Sequence, residues 1–242
     1  LSVQVLLQGD VEAADSGGDN AGVLPTDTMR NTVYGLAQDH LTEDLEAFAQ
    51  TLVHHFLAKD GITAASVSIE GRRWERAGHH GFVGGSSERR VAEVESSPAG
   101  QTYRAGIDGL VVLKTTNSAF SGFPRDEYTI LPDADDRLLS TTITTRWSYD
   151  RLPADPTVAW ATARQEILDH FFTDWSASVQ HQGWLMAQAV IDAIPEVTEI
   201  EFRLPNQHHL GFKLERFGLE DRGVVFQPVS EPYGDIRFKV TR

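Results

Sequence analysis

The chain has 242 residues, 40% hydrophobic and 23% charged, which is the composition of a globular protein rather than a disordered one. Its formal net charge of −14 works against nucleic acid as a partner, so any anionic ligand needs a local cationic pocket. There is no cysteine, hence no disulfide or thiolate chemistry, and no apolar run approaches the roughly 18 residues that span a bilayer.

The chain opens in an alternating strand pattern, with Val3, Val5 and Leu7 facing one way. The turn-rich run Asp15–Asn20 leads to Thr26-Asp27-Thr28-Met29-Arg30-Asn31-Thr32-Val33-Tyr34-Gly35. Thr26, Asp27 and Thr28 are all good N-cap types, and Met29, Val33 and Leu36 follow at helical spacing. A helix start presents unpaired N–H groups and partial positive charge, so it suits an anion. A second helix is predicted with Thr42 as N-cap and Glu43 and Asp44 in its first turn, burying Leu45, Phe48, Leu52, Val53 and Phe56. Ala65–Arg76 reads as a strand with Val67 and Ile69 inward, His79–Gly85 as a turn, and Arg90–Glu95 as the return strand. Ser96–Gly100 is the expected linker.

The same grammar follows in the second half. Strand Tyr103–Thr116, a long loop and strand Leu138–Tyr149 precede a helix with Asp155 as N-cap and Pro156 at its first position. A further helix carries Val179, Met186, Val190 and Ala193, and Pro195 ends it. Strands Glu199–Leu204 and Phe212 onward, closing on Tyr233–Thr241, complete the set. Each half reads as strands and a pair of helices, with the opening strand of the first half missing. The fold class is α+β, with antiparallel sheets covered by helices on one face, divided at 1–98 and 99–242. Exposed edges and an uncovered sheet face lead us to expect oligomerisation.

Chemistry-bearing residues cluster in three more places. The eighteen-residue stretch Phe120–Arg137 is long for a connection and rich in aromatic and charged residues. Taken alone, Phe120 and Phe123 could plug the sheet end while Arg125 or Arg137 pairs with Asp126, Asp135 or Asp136. Gln180 sits at a helix start, and Leu204-Pro205-Asn206-Gln207-His208-His209 ends a strand with an amide and an imidazole two residues apart.

Together these segments resemble the urate oxidase family, of the bacterial, cofactor-free type. Thr26–Gly35 is similar to that family's opening signature, with Arg30 where a lysine is usual. Leu113–Leu131, Asp136-Arg137, Ser178-Val179-Gln180 and Leu204–His209 follow in the family's order, so the resemblance covers essentially the whole chain. It implies two tandem tunnelling-fold units assembling into a homotetramer around a barrel-like tunnel, in a cytoplasmic enzyme. It also implies oxidation of urate by O2 and water to 5-hydroxyisourate and hydrogen peroxide, without cofactor or metal. Phe120 would stack on the flat substrate, Arg137 and Gln180 would grip one side, and Leu131 and Val179 would line the walls. Thr26 and Asp27 would come from a neighbouring subunit, Asn206 would hold O2 or water, and His208 would complete a proton relay with Thr26.

One feature departs from the pattern. The family's relay lysine belongs to an upstream strand, and Lys59, Lys114, Lys213 and Lys239 match no such motif. The alternative is therefore a subunit that binds urate or a similar heterocycle with impaired turnover. The pairs His54-His55, His79-His80 and His208-His209 raise a metal hydrolase, but adjacent side chains point apart and rarely share an ion.

Overall fold

The structure is a computed structural model describing residues 1–242. In chain order it contains β1 (Ser2–Gly9), α1 (Glu12–Gly17), α2 (Thr26–His40), α3 (Leu45–Leu57), β2 (Ile62–Arg72), β3 (Glu75–Arg76), β4 (Phe82–Val83) and β5 (Arg89–Ser97). There follow β6 (Gly100–Lys114), β7 (Leu139–Tyr149), α4 (Pro156–Thr173), α5 (Val179–Ala193), β8 (Val197–Asn206), β9 (His209–Gly211), β10 (Phe226–Pro228) and β11 (Gly234–Thr241). Seven strands form one antiparallel sheet in the order β1-β2-β5-β6-β7-β8-β11. No helix is long and apolar enough to cross a membrane.

Strand alternation sorts this sheet into two unlike faces. One face is apolar and carries the helices. Val67, Ile69, Ala92 and Val94 pack with Phe48, Leu52, Val53 and Phe56 of α3, while Met29, Val33 and Leu36 of α2 lie against the same cluster. Ile143, Trp147, Ile200 and Phe202 pack with Ile167 and Phe171 of α4 and Met186 and Val190 of α5. The other face is ionic. Arg146 bridges Glu93 and Asp108, Arg104 reaches Glu93 and Glu201, and Lys239 joins Glu199 and Glu201. The period-2 pattern of the strands therefore separates a dry layer from a wet one.

The two halves are joined beneath the helices as well as through the sheet. Tyr103 on β6 touches both apolar clusters, and its hydroxyl accepts from Gln50 on α3 at 2.8 Å. Arg90 on β5 binds buried Glu46 on α3 at 2.5 Å and stands 5.4 Å from the Trp160 ring on α4. Arg164 on α4 grips Glu88 with two hydrogen bonds of 2.5 and 2.8 Å. A bidentate guanidinium–carboxylate pair fixes orientation as well as distance.

Several sequence expectations need correction. Pro25, not one of the three polar residues, is the N-cap of α2, because Thr26 to Thr28 already lie within the helix and Met29 N donates to the Pro25 carbonyl at 3.0 Å. Asp44 rather than Thr42 caps α3, its carboxylate accepting from Ala47 N at 2.9 Å, while the Thr42 hydroxyl accepts from Asp44 N. The strand expected to reach Arg76 ends at Arg72, and Glu75-Arg76 pairs separately with Phe82-Val83 inside the stretch read as a turn. Ser96–Gly100 is not a free linker, since Ser97 pairs with Gly100 across a hairpin within the continuous sheet. The segment from Phe212 does not run on as a strand: a one-turn helix at Leu214–Phe217 and the short strand β10, which pairs back with β9, intervene before β11. By contrast Asp155 and Ser178 cap α4 and α5 through their side chains, with Pro156 opening α4.

Gly183, one turn into α5, sets how closely that helix lies on the sheet: a Cβ there would collide with the Phe238 ring of β11 and crowd Leu204. Gly183→Ala should therefore lower unfolding stability by about 1–3 kcal/mol, the usual cost of overpacking. A urea melt of the two proteins checks this, and an unchanged midpoint would show that β11 yields freely.

Candidate active site

Phe120 lies just beyond the end of β6, where the chain leaves the sheet. Asn117 adopts φ 63°, a left-handed conformation that asparagine tolerates, and the backbone turns sharply there. The following residues are held on two sides. Ala119 N donates to the Ser176 carbonyl at 2.8 Å, and Ser176 N donates back to Asn117 at 3.0 Å. Phe120 and Ala134 exchange main-chain hydrogen bonds of 2.7 and 2.9 Å. The Phe120 ring stacks on Phe123 with centroids 4.8 Å apart and planes within 11°, and the Arg125 guanidinium covers Phe123.

Arg137 stands beside this aromatic pair, its guanidinium carbon 5.4 Å from the Phe120 centroid. Its side chain makes no hydrogen bond or ion pair, and its Nε is buried without a partner. The neighbouring carboxylate is engaged elsewhere. Asp136 accepts from the Thr116 hydroxyl at 2.5 Å, from Ser118 N at 3.1 Å and from Arg137 N at 3.0 Å. Those donors hold its carboxyl below the usual carboxylate range. Arg125, the other loop arginine, pairs with Asp133 at 3.1 Å, an acid that the sequence reading had not chosen. Burial without a counter-ion pulls Arg137 below the ordinary arginine value, yet a guanidinium stays charged at any physiological pH. Half-buried, cationic and unpaired, Arg137 is a ready anion partner.

The second wall comes from α5. Ser178 caps the helix, buried Val179 opens it, and Gln180 follows, exposed and without a side-chain hydrogen bond. Asn206 is the last residue of β8, paired with Gly234 of β11. Beyond it, Gln207 is tied to β7 through the Ser140 carbonyl and the Thr142 hydroxyl, each at 3.0 Å. The carbonyl of His208 accepts from Val229 N, which anchors the start of the β9–β10 pair. Desolvation and the nearby positive charge of Arg137 both lower the His208 imidazole below 6.5. Leu131 is exposed, and its carbonyl receives the Arg125 guanidinium at 3.0 Å.

Thr26 and Asp27 do not join this group within one chain. Asp27 is engaged by Arg30 and by Asn31. Thr26 lies along a groove of about 570 Å³ lined by Val3 and Val5 of β1 and Met29, Val33 and Tyr34 of α2. Sequence reading gave no site role to Lys114 or Gln182, which are bonded to one another behind the two walls. A charged residue inside an apolar strand end (Val111-Val112-Leu113-Lys114) was the available signal for Lys114. No three His, Asp or Glu side chains converge as metal ligands do.

The Uricase family model matches residues 3–101 and 103–237. The chain belongs to the uricase family. A uricase from Arthrobacter globiformis is 39% identical over 245 residues, spanning 100% of this chain and 81% of that protein. One from Dictyostelium discoideum is 35% identical over 233 residues, covering 93% of this chain and 81% of the relative. The crystal structure of the Arthrobacter uricase superposes with a TM-score of 0.95, covering 100% of this chain and 85% of that one. The mixed α/β architecture, an antiparallel sheet with few helices, is thus the uricase architecture.

The proximity of Arg137 to His208 carries a measurable consequence. Because a neighbouring cation disfavours imidazolium, Arg137→Ala should raise the His208 pKa toward 6.5 while leaving the contribution of burial in place. Histidine NMR titration reads this directly, and a downward or absent shift would separate the two groups.

Proposed function

We propose that this uricase-family chain is a urate oxidase whose substrate lies against Phe120 in the grip of Arg137. The observation that carries this reading is the unpaired, half-buried guanidinium beside a phenyl ring. The reaction is urate + O2 + H2O giving 5-hydroxyisourate and hydrogen peroxide. The deprotonated purine is itself the electron donor, so the protein's tasks are placement, electrostatics and proton transfer.

Each residue has a task set by its chemistry. The Phe120 ring stacks on the flat substrate, as aromatic faces do with planar heterocycles. Arg137 donates two parallel hydrogen bonds to one edge, and the Gln180 carboxamide both donates and accepts beside it. Val179 and Leu131 wall the slot. Asn206 presents an amide above the ring, where O2 and then water are held. His208, kept neutral near pH 7 by its surroundings, can accept a proton through ordered water.

The remaining edge is met by Thr26 and Asp27 of another copy of the chain. The amides at the start of α2 supply an anion-binding terminus there. This reading includes two tunnelling-fold units, 1–98 and 99–242, assembling as a homotetramer around a tunnel lined by the ionic sheet face. Two separate apolar clusters, one among Leu45 to Val94 and the other among Ala105 to Leu204, support that division.

Mixing the protein with urate while following ultraviolet absorbance and oxygen uptake tests the activity. Coupled loss of both is expected. Binding without turnover would favour the binding subunit, and neither would defeat the reading. Arg137→Ala should abolish urate binding, and Phe120→Ala should weaken it by about 1–3 kcal/mol, by analogy with base–aromatic stacking. Isothermal titration of both variants decides the site, since unchanged affinity would remove these residues from it.

A further inference from the structure

Lys114 is the one lysine sealed inside this protein: its side chain is only 5% exposed, at the last position of β6. Its ammonium donates to the Asp174 carbonyl at 2.9 Å, to Gln182 Oε1 at 2.5 Å and, more weakly, to Ser176 Oγ at 3.5 Å. It stands 5.6 Å from the Phe171 ring centroid. Three donors with no acceptor suit a cage of three oxygens, which a planar guanidinium of larger reach would not fit.

The partners belong to three parts of the chain. Asp174 is the C-cap of α4, where a cation also complements the helix dipole. Ser176 lies in the short connection whose main chain pairs with Asn117 and Ala119, the approach to Phe120. Gln182 lies in the first turn of α5, fully buried, and its amide donates in turn to the His170 carbonyl at 2.8 Å. So one ammonium ties the strand that leads to Phe120 to the helix that begins with Val179 and Gln180. Burial pushes its pKa down to about 8, with Asp174 and Asp136 opposing that shift, so the amine is still charged at neutral pH.

We propose that Lys114 is a positioning residue, fixing the spacing between the Phe120 wall and the Val179–Gln180 wall and hence the width of the urate slot. This rests on the urate reading of the same site. Its ammonium touches no substrate. Main-chain pairing alone joins the two walls at Ser176, but that connection can pivot. The ammonium adds a second attachment at Gln182, one turn inside α5, and two attachments remove the pivot.

The test compares Lys114→Met, which keeps the stem and removes the charge, with Lys114→Ala and Gln182→Met. For Lys114→Met the KM for urate should rise by on the order of tenfold to a hundredfold, with kcat changing several-fold less, as misplacement of binding groups predicts. Gln182→Met, which removes a single partner, should shift KM in the same direction by a smaller factor. Ethylammonium added to Lys114→Ala should refill the cavity and restore KM in part, whereas a purely structural loss would not respond to it. The proposal is overturned by an unchanged KM in folded Lys114→Met, or by parallel losses of kcat and folded fraction. Should both Lys114 variants fail to fold, an unchanged KM in Gln182→Met overturns it. Wild-type protein that does not bind urate would instead defeat the functional reading itself.

Discussion

The candidate site hangs on a short crossing of two chain segments at Ser176. There Ala119 N reaches the Ser176 carbonyl and Ser176 N reaches Asn117, outside any regular strand. Loops of this length usually lie over the surface and move. This one is held along its course, by Ser176 on one side and by the Phe120–Ala134 pair on the other. Consequently an aromatic ring on an irregular segment acquires the fixity of a strand residue. The helix start that faces it is capped by Ser178, two residues from the crossing. Everything proposed for substrate placement follows from those two backbones meeting at one residue.

Charge is distributed to match. The whole chain is strongly acidic, and its partly buried arginines mostly have carboxylates: Arg90 with Glu46, Arg146 with Glu93 and Asp108, Arg164 with Glu88. Arg137 differs because the acid beside it in sequence is engaged by three other donors, the Thr116 hydroxyl and the Ser118 and Arg137 backbone amides. The desolvation cost of an unpaired cation is then relieved only when an anion arrives, so the free site favours anion capture. A fourth donor aimed at Asp136 from the Arg137 side chain would cancel that preference.

Much of the fold was legible in the residues. Alternation of Val67 and Ile69 marked β2, and Asp155-Pro156 marked the start of α4, because an acid followed by proline has one plausible role there. The N-cap of α2 was not among the candidates because Thr26, Asp27 and Thr28 are all capping types, whereas Pro25 holds the extended φ and ψ required there. Thr42 lost to Asp44 for the same reason: two capping types lie within three residues, and packing of Leu45 and Phe48 chose between them. The site was less legible. No periodicity runs through Phe120–Arg137, so its organisation came from family resemblance, and which acid would pair with Arg125 could not be read from spacing. Lys114 was considered only as a relay candidate and given no other role, because a lysine near a strand end ordinarily points to water.

The two outer strands of the sheet are not alike. The edge strand β11 presents Arg237 and Lys239, charges that discourage further strand pairing, and they are engaged by Asp235, Glu199 and Glu201. On the opposite edge, β1 exposes Gln4, Leu6 and Gln8 with no charged residue among them. Thr26 lies in the groove formed by β1 and α2, so the polar start of that helix stands beside this outer strand. Within the chain the carboxylate at that helix start is already held by Arg30 and Asn31, so its capacity for an anion lies in the backbone amides of the first turn rather than in Asp27.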